Sequence, residues 1–150
     1  MKPLNELNIG ICSDHAGYEL KNKIIEHLKS KNVGEVKDFG AFSAESSDYP
    51  DFAHLMAKAV SQGGIEFGIS CCGTGNGISM TANRHVFVRS ALCWQPELAK
   101  FARQHNNANV LSLPARFISE ETAFKIVDIF LSTEFEGGRH QKRIEKIEKF

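Results

Sequence analysis

Hydrophobic residues along this chain come in short runs separated by amphipathic stretches. Residues 7–12 form an apolar run that reads as a first strand, and the polar turn Ser13-Asp14-His15-Ala16-Gly17 follows it. Over 17–30, Leu20, Ile24, Ile25 and Leu28 recur at helical spacing with lysines and glutamates between them, which predicts an amphipathic helix. A second strand is predicted at 35–39, then a loop rich in Ser and Ala over 40–48. Tyr49-Pro50 restarts the chain with proline in a first helical turn. Phe52, Leu55, Met56, Ala59 and Val60 make that helix amphipathic, and Gly63-Gly64 end it. A third strand is predicted at 65–71, a helix at 76–84, a fourth strand at 86–93, a helix from Pro96 to near His105, and a fifth strand at 110–113. Ser119 and Thr122 supply capping groups for a fifth helix that turns Phe124, Ile126, Val127, Ile129 and Phe130 inward. A last, highly charged helix is predicted over 139–150, with Ile144 and Ile147 as its apolar seam.

Strand and helix thus alternate five times. That pattern predicts an α/β fold, a mostly parallel sheet with helices on both faces. No repeat or linker interrupts it, so residues 1–150 read as one domain. Ligands of such sheets bind outside the carboxyl ends of the strands. The loops expected there carry Asp14-His15, the stretch from Cys72 to Gly77, Trp94-Gln95 and Arg116.

Composition narrows the partners. The 18 basic residues balance the 18 acidic ones, so no global field points to nucleic acid or a membrane surface. No apolar run is long enough to span a bilayer, and the first residues lack the apolar core of an export signal. Cys12, Cys71, Cys72 and Cys93 make a poor disulfide framework, and a reducing cytoplasm is the expected setting.

The stretch Ile69-Ser70-Cys71-Cys72-Gly73-Thr74-Gly75-Asn76-Gly77-Ile78 holds the strongest chemistry. Alternate glycines let backbone N–H groups converge on an oxyanion, and the following helix adds the positive end of its dipole. Several familiar loops do not fit. A P-loop needs Gly-Lys-Ser/Thr where Gly77-Ile78-Ser79 stands, and a dinucleotide fingerprint belongs after the first strand, not the third. A thiol phosphatase would need an arginine closing the loop. Adjacent cysteines also lack the spacer of a zinc knuckle or redox pair. Cys71 shares its strand face with Phe67 and Ile69 and belongs to the core. Cys72 leaves the strand beside the glycines, either as a nucleophile or base or as another small buried hydrophobe. Two readings also stand elsewhere. Asp14 is a helix cap or, with His15 beside it, a ligand contact; His105 is a dipole partner or surface residue at a helix end. Arg139 and Arg143, four apart, share a helix face that is either simply solvated or built for an anion. Arg116 alone decides nothing.

Five motifs occur in order: Ser13-Asp14-His15-Ala16-Gly17, Asp48-Tyr49-Pro50, Cys72-Gly73-Thr74-Gly75-Asn76-Gly77, Arg103-Gln104-His105-Asn106 and Glu136-Gly137-Gly138-Arg139-His140. Together, and over nearly the whole chain, they resemble the type B ribose-5-phosphate isomerases, in the wider family that includes the galactose-6-phosphate isomerase subunits. The resemblance implies a Rossmann-like three-layer α/β/α fold and a homodimer, or a tetramer built as a dimer of dimers, with sites at the subunit interface. It implies interconversion of ribose 5-phosphate and ribulose 5-phosphate, with no metal or nucleotide cofactor. By the same resemblance Cys72 is the base, and Thr74 with the amides of Gly73, Gly75, Asn76 and Gly77 holds the enediolate oxygens. Asp14 binds substrate hydroxyls and His105 helps open the furanose ring. His15, Arg116, Arg139 and Arg143 grip the phosphate, partly from a neighbouring subunit through the C-terminal helix, while Tyr49 and Asn106 line the site.

Relatives with a carboxylate base carry it where this chain has Ile78, which aligns the chain with the cysteine-base group. His105 and the Gly-Gly-Arg-His tail favour a pentose phosphate over a hexose 6-phosphate such as allose or galactose 6-phosphate. A phosphosugar-binding domain without catalysis would need neither Cys72 nor Thr74. Three departures stand out: Asn107 replaces a common aspartate beside His105, Val86-Phe87 replaces a usual Pro-Gly, and Pro114 replaces a common glycine.

Overall fold

The apolar runs build a parallel sheet. In the computed structural model, which describes residues 1–149, five strands are assigned: β1 (Asn8–Ser13), β2 (Glu35–Asp38), β3 (Phe67–Cys72), β4 (Ser90–Leu92) and β5 (Val110–Pro114). Six α-helices alternate with or follow them: α1 (Tyr18–Ser30), α2 (Tyr49–Ser61), α3 (Asn76–Ala82), α4 (Pro96–Asn106), α5 (Glu120–Ser132) and α6 (Arg139–Ile147). The strand order is β2-β1-β3-β5-β4, and every pairing is parallel. The chain moves outward from β1 to β2, then crosses back to β3. That reversal puts the topological switch point between β1 and β3, and it opens a crevice at their carboxyl ends.

Alternation along the strands makes two cores. Ile9, Ile11, Phe67, Ile69, Cys71, Leu111 and Leu113 pack toward α1, α4 and α5. Cys12, Cys72 and Val110 pack toward α2 and α3, which supply Ala53, Met56, Ala57, Ile78 and Ala82. Cys71 therefore lies in the core, as its register with Phe67 and Ile69 predicts. Its thiol is pushed above the ordinary range by burial first and by the neighbouring Cys72 second. The fifth helix begins as expected, with Ser119 Oγ accepting a hydrogen bond from the Thr122 amide at 3.1 Å.

Three elements are shorter than their patterns predict. The fourth strand spans three residues, not 86–93, because Phe87 takes φ +64° and turns the chain just before it. The Phe87 amide then donates to the Glu148 carboxylate, and the Arg89 guanidinium pairs with the same group at 2.6 Å. The third helix stops at Ala82, with Asn83 as its cap. Asn83 exchanges two hydrogen bonds with the Ser90 backbone, so a side chain covers the edge of β4 that another strand would otherwise pair. The last helix ends at Ile147, and Phe150, included in its predicted span, lies outside the described residues. Phe87 is largely exposed and holds a conformation that costs a residue with a Cβ about 1 kcal/mol or more. Phe87→Gly should therefore raise stability by about 0.5–1 kcal/mol in urea unfolding, provided its amide keeps the Glu148 contact.

Candidate active site

Adjacent parallel strands bring Asp14 and Cys72 together. Ser13 pairs with Cys71 in register, and the Asp14 amide donates to the Cys71 carbonyl at 3.3 Å. Asp14 is buried, and its Oδ1 accepts from the Gly17 amide at 3.1 Å. One carboxylate oxygen thus closes the turn that leads into α1, whose first flanking residue is Gly17, while the other remains available to a ligand. Cys72 ends β3 with 4% of its surface exposed. Its carbonyl accepts from the Ala115 amide, and the Gly73 carbonyl accepts from the Arg116 amide. These bonds hold the loop after β5 against the glycine loop and set the Arg116 guanidinium over Gly73.

The glycines are used for shape. Gly75 sits at φ +74°, in the left-handed region that favours glycine, and leads into α3. Gly77 lies under Tyr49, whose hydroxyl would be 2.6 Å from any Cβ placed there. Thr74 and Asn76 are exposed at the rim, and Thr74 Oγ1 accepts from the Asn76 amide at 3.3 Å. His15 completes this group. Its Nδ1 lies 3.1 Å from the Ser47 amide and 3.2 Å from the Ser47 carbonyl. When the amide donates to Nδ1, the ring carries its proton on Nε2 and so presents an Nε2–H donor to an anion.

Two supports were not anticipated from sequence. Lys21, read as a polar spacer, is fully buried, and its Nζ donates to both Asp38 oxygens at 2.8 and 2.7 Å. Asp38 in turn accepts from the Gly40 amide, and residues 40 and 41 exchange hydrogen bonds with the Ser13 backbone. The pair therefore stitches the β2–α2 loop to the strand end that carries Asp14. Spacing held the signal, since Lys21 precedes Ile24 by three residues and Ile25 by four and so shares their face. The second support is a hydroxyl chain. Ser79 Oγ meets Ser90 Oγ at 3.0 Å, Ser90 meets Ser112 at 2.8 Å, and Ser112 meets Ser70 at 2.8 Å. It ties α3, which follows the glycine loop, to β4, β5 and β3.

The remaining predicted residues lie at the other end of the sheet. Helix α4 starts beyond the carboxyl end of β4 and returns antiparallel to it over 11 residues, about 16 Å of axis. His105 and Asn106, in its last turn, therefore lie near the amino end of β5. There the His105 ring stacks on Phe101 and, with centroids 4.4 Å apart, on His140. Helix α6 packs on α4 and carries Arg139 and Arg143, both exposed. Among the described residues, no carboxylate lies within ion-pair distance of Arg116, Arg139 or Arg143. Burial, then the charges of His105 and Arg139, push the His140 pKa below its ordinary value. Asn107 turns away from His105. It caps α4 at φ +45°, and its Oδ1 accepts from Arg103 at 2.9 Å. One chain thus builds two clusters: Asp14, His15, Tyr49, Cys72–Gly77 and Arg116 at the carboxyl end, and His105, Asn106, Arg139 and Arg143 at the amino end.

The family model described as Ribose/Galactose Isomerase matches residues 9–147. The chain belongs to this ribose/galactose isomerase family. Within it, the chain is 46% identical over 139 residues to ribose-5-phosphate isomerase B of Escherichia coli, with 93% of each chain covered. The crystal structure of a ribose 5-phosphate isomerase from Thermotoga maritima matches with a TM-score of 0.94 at 50% identity, covering 97% of this chain and 99% of that one. Ribose-5-phosphate isomerase B from Mycoplasma genitalium, solved with bound ribulose 5-phosphate, matches with a TM-score of 0.91 at 48% identity, covering 96% and 95%. The Rossmann-like three-layer fold implied by the five motifs is thus the family's fold. Among the described residues no helix is long and apolar enough to cross a membrane.

Proposed function

We propose that this chain interconverts ribose 5-phosphate and ribulose 5-phosphate through an enediolate, in a site shared by two copies of the chain. The observation that carries the reading is the division of the family's motif residues between opposite ends of one sheet. The carboxyl-end cluster has a thiol, backbone donors, a carboxylate and the single guanidinium of Arg116. The amino-end cluster has an imidazole and two arginines without counter-ions, and no carbonyl-polarising loop. A two-fold dimer that sets one end against the other joins them twice, because each copy gives one cluster and receives the other. The C-terminal helix then reaches the partner's site, and pairing of dimers into a tetramer is compatible with this arrangement.

Each group has a chemical task. His105 of one copy moves a proton at the furanose oxygen while Asp14 of the other orients the sugar hydroxyls, giving the open aldehyde. Cys72 as thiolate removes the proton from C2 as electrons shift onto the C1 oxygen; the C2 hydroxyl proton passes to the C1 oxygen, and the thiol returns its proton to C1, leaving the carbonyl at C2. Thr74 and the amides of Gly73 to Gly77 donate to the enediolate oxygens, each donor contributing on the order of 3 kcal/mol in the transition state. His15, Arg116, Arg139 and Arg143 hold the phosphate, remote from the reacting carbons, and so orient them. Tyr49 and Asn106 close the walls. No step calls for a metal or a nucleotide. The whole chain acts as one isomerase domain, and its four free cysteines suit a reducing cytoplasm.

Substrate ranking tests the assignment. The kcat/KM for ribose 5-phosphate should exceed those for allose 6-phosphate and galactose 6-phosphate by roughly tenfold or more, since a misfitting carbon costs on the order of 1–3 kcal/mol. A higher value for either hexose phosphate would transfer the reading to that sugar, and no turnover of any would leave a binding domain.

A further inference from the structure

We propose that His105, Glu136 and His140 form a binding site for a divalent transition-metal ion of the zinc class, and that occupation of this site inhibits the enzyme. Nothing in the isomerisation uses Glu136, and His140 enters it only as the ring beneath His105. Yet each of the three side chains offers a ligand atom, and these atoms all lie within 4.8 Å of one another. His140 Nε2 and Glu136 Oε2 are 3.6 Å apart. Two ligands on a tetrahedral zinc ion, with bonds of about 2.0–2.1 Å, stand about 3.3 Å apart, so this pair needs little adjustment. The third ligand needs more. The His105 and His140 rings are stacked within 13° of parallel, so their nitrogen lone pairs run side by side until the His105 ring turns.

The backbone holds these three positions together. The Glu136 amide donates to the Gln104 carbonyl at 3.1 Å, which fixes residue 136 beside the last turn of α4. The His140 amide donates to the Gly137 carbonyl at 3.1 Å and starts α6 directly over His105. His140 is buried, His105 half-buried and Glu136 exposed, which leaves a fourth position open to water or an anion. Two imidazoles and one carboxylate suit zinc and its neighbours rather than magnesium or calcium, which take oxygen ligands. Arg139 and Arg143 on the same helix oppose a second positive charge, so binding is reversible rather than permanent.

Inhibition follows from the ligand set and rests on the role proposed for His105. An imidazole nitrogen bound to a metal carries no proton to give the furanose ring oxygen as the ring opens. The ion also stands where the open ring of the partner's substrate would meet that imidazole.

Calorimetric titration with zinc chloride, alongside isomerase assays with and without EDTA, tests both statements on the whole protein. Glu136→Gln is the decisive variant, because an exposed carboxylate can be replaced without disturbing packing. It should keep wild-type turnover in EDTA, bind zinc at least tenfold more weakly, and shift the inhibition midpoint by the same factor. EDTA should restore the zinc-inhibited wild-type enzyme. Equal zinc binding by Glu136→Gln and wild type would overturn the site. So would a thiolate charge-transfer band in the cobalt-substituted protein that vanishes in Cys72→Ala, since the ion would then lie on the cysteine. Glu136-dependent binding that leaves turnover untouched would keep the site but overturn the inhibition, and with it the ring-opening role of His105.

Discussion

Cys72→Ala should lower kcat/KM for ribose 5-phosphate by about 10³-fold or more while leaving the fold and phosphate-ligand binding intact. The size follows from losing the proton-transfer group, which by itself is commonly worth about 10²–10⁴. The donors of Thr74 and the glycine loop would remain and would still stabilise charge on the oxygens. Cys71→Ala is the matched control. Its thiol points into the core beside Phe67 and Ile69, so the substitution should cost about 1 kcal/mol of stability and leave turnover close to wild type. Near wild-type activity in Cys72→Ala would remove that residue from its role. A well-folded but inactive Cys71→Ala would give the role to the neighbouring thiol.

Arg139→Ala should act on the other half of the reaction. It should raise KM for ribose 5-phosphate by roughly 10- to 100-fold, the loss expected for a charge-assisted contact with a dianion. Arg143→Ala should do the same, one turn further along α6. Neither guanidinium is tied to a carboxylate among the described residues, and both are exposed, so their removal should barely change stability. The effect should fade for a substrate analogue that lacks the phosphate. An unchanged KM would return α6 to the reading of a merely solvated helix.

Much of this was legible in the chain itself. The apolar runs at Ile9–Ile11 and Phe67–Cys71, and the helical seams at Leu20–Leu28 and Phe52–Val60, are long and regular enough to fix strand and helix before any contact is known. The cap at Ser119 and the core position of Cys71 follow from local chemistry and from the two-residue period of a strand. Short elements escaped. Val86-Phe87 is apolar and reads as strand, yet a positive φ and the Glu148 carboxylate set it as a turn, and neither is visible locally. The position of β5 between β3 and β4 is likewise a long-range matter. So is the partner of Lys21: helical spacing places the lysine on the buried face, but Asp38 lies 17 residues away.

The site was legible in part. Asp14, His15, Cys72 and Arg116 follow from the rule that ligands meet the carboxyl ends of parallel strands. His105 and the α6 arginines came from motif resemblance, and their position opposite the thiol could have been inferred from direction alone. A helix that leaves the carboxyl end of a strand must finish near the amino end of the next. The resemblance already implies sites at the subunit interface; what the structure adds is that the two clusters stand at opposite ends of one chain's sheet, the basis for proposing a centre divided between two chains.

Mixing two inactive variants tests whether the site is divided between two chains. Cys72→Ala lacks the carboxyl-end base and His105→Ala lacks the amino-end imidazole. After subunit exchange at equal concentrations, about half of the dimers pair one variant with the other, and each such dimer has one site free of both changes. The mixture should therefore recover about one quarter of wild-type activity. A mixture that stays as inactive as its components would mean that each site is built within a single chain.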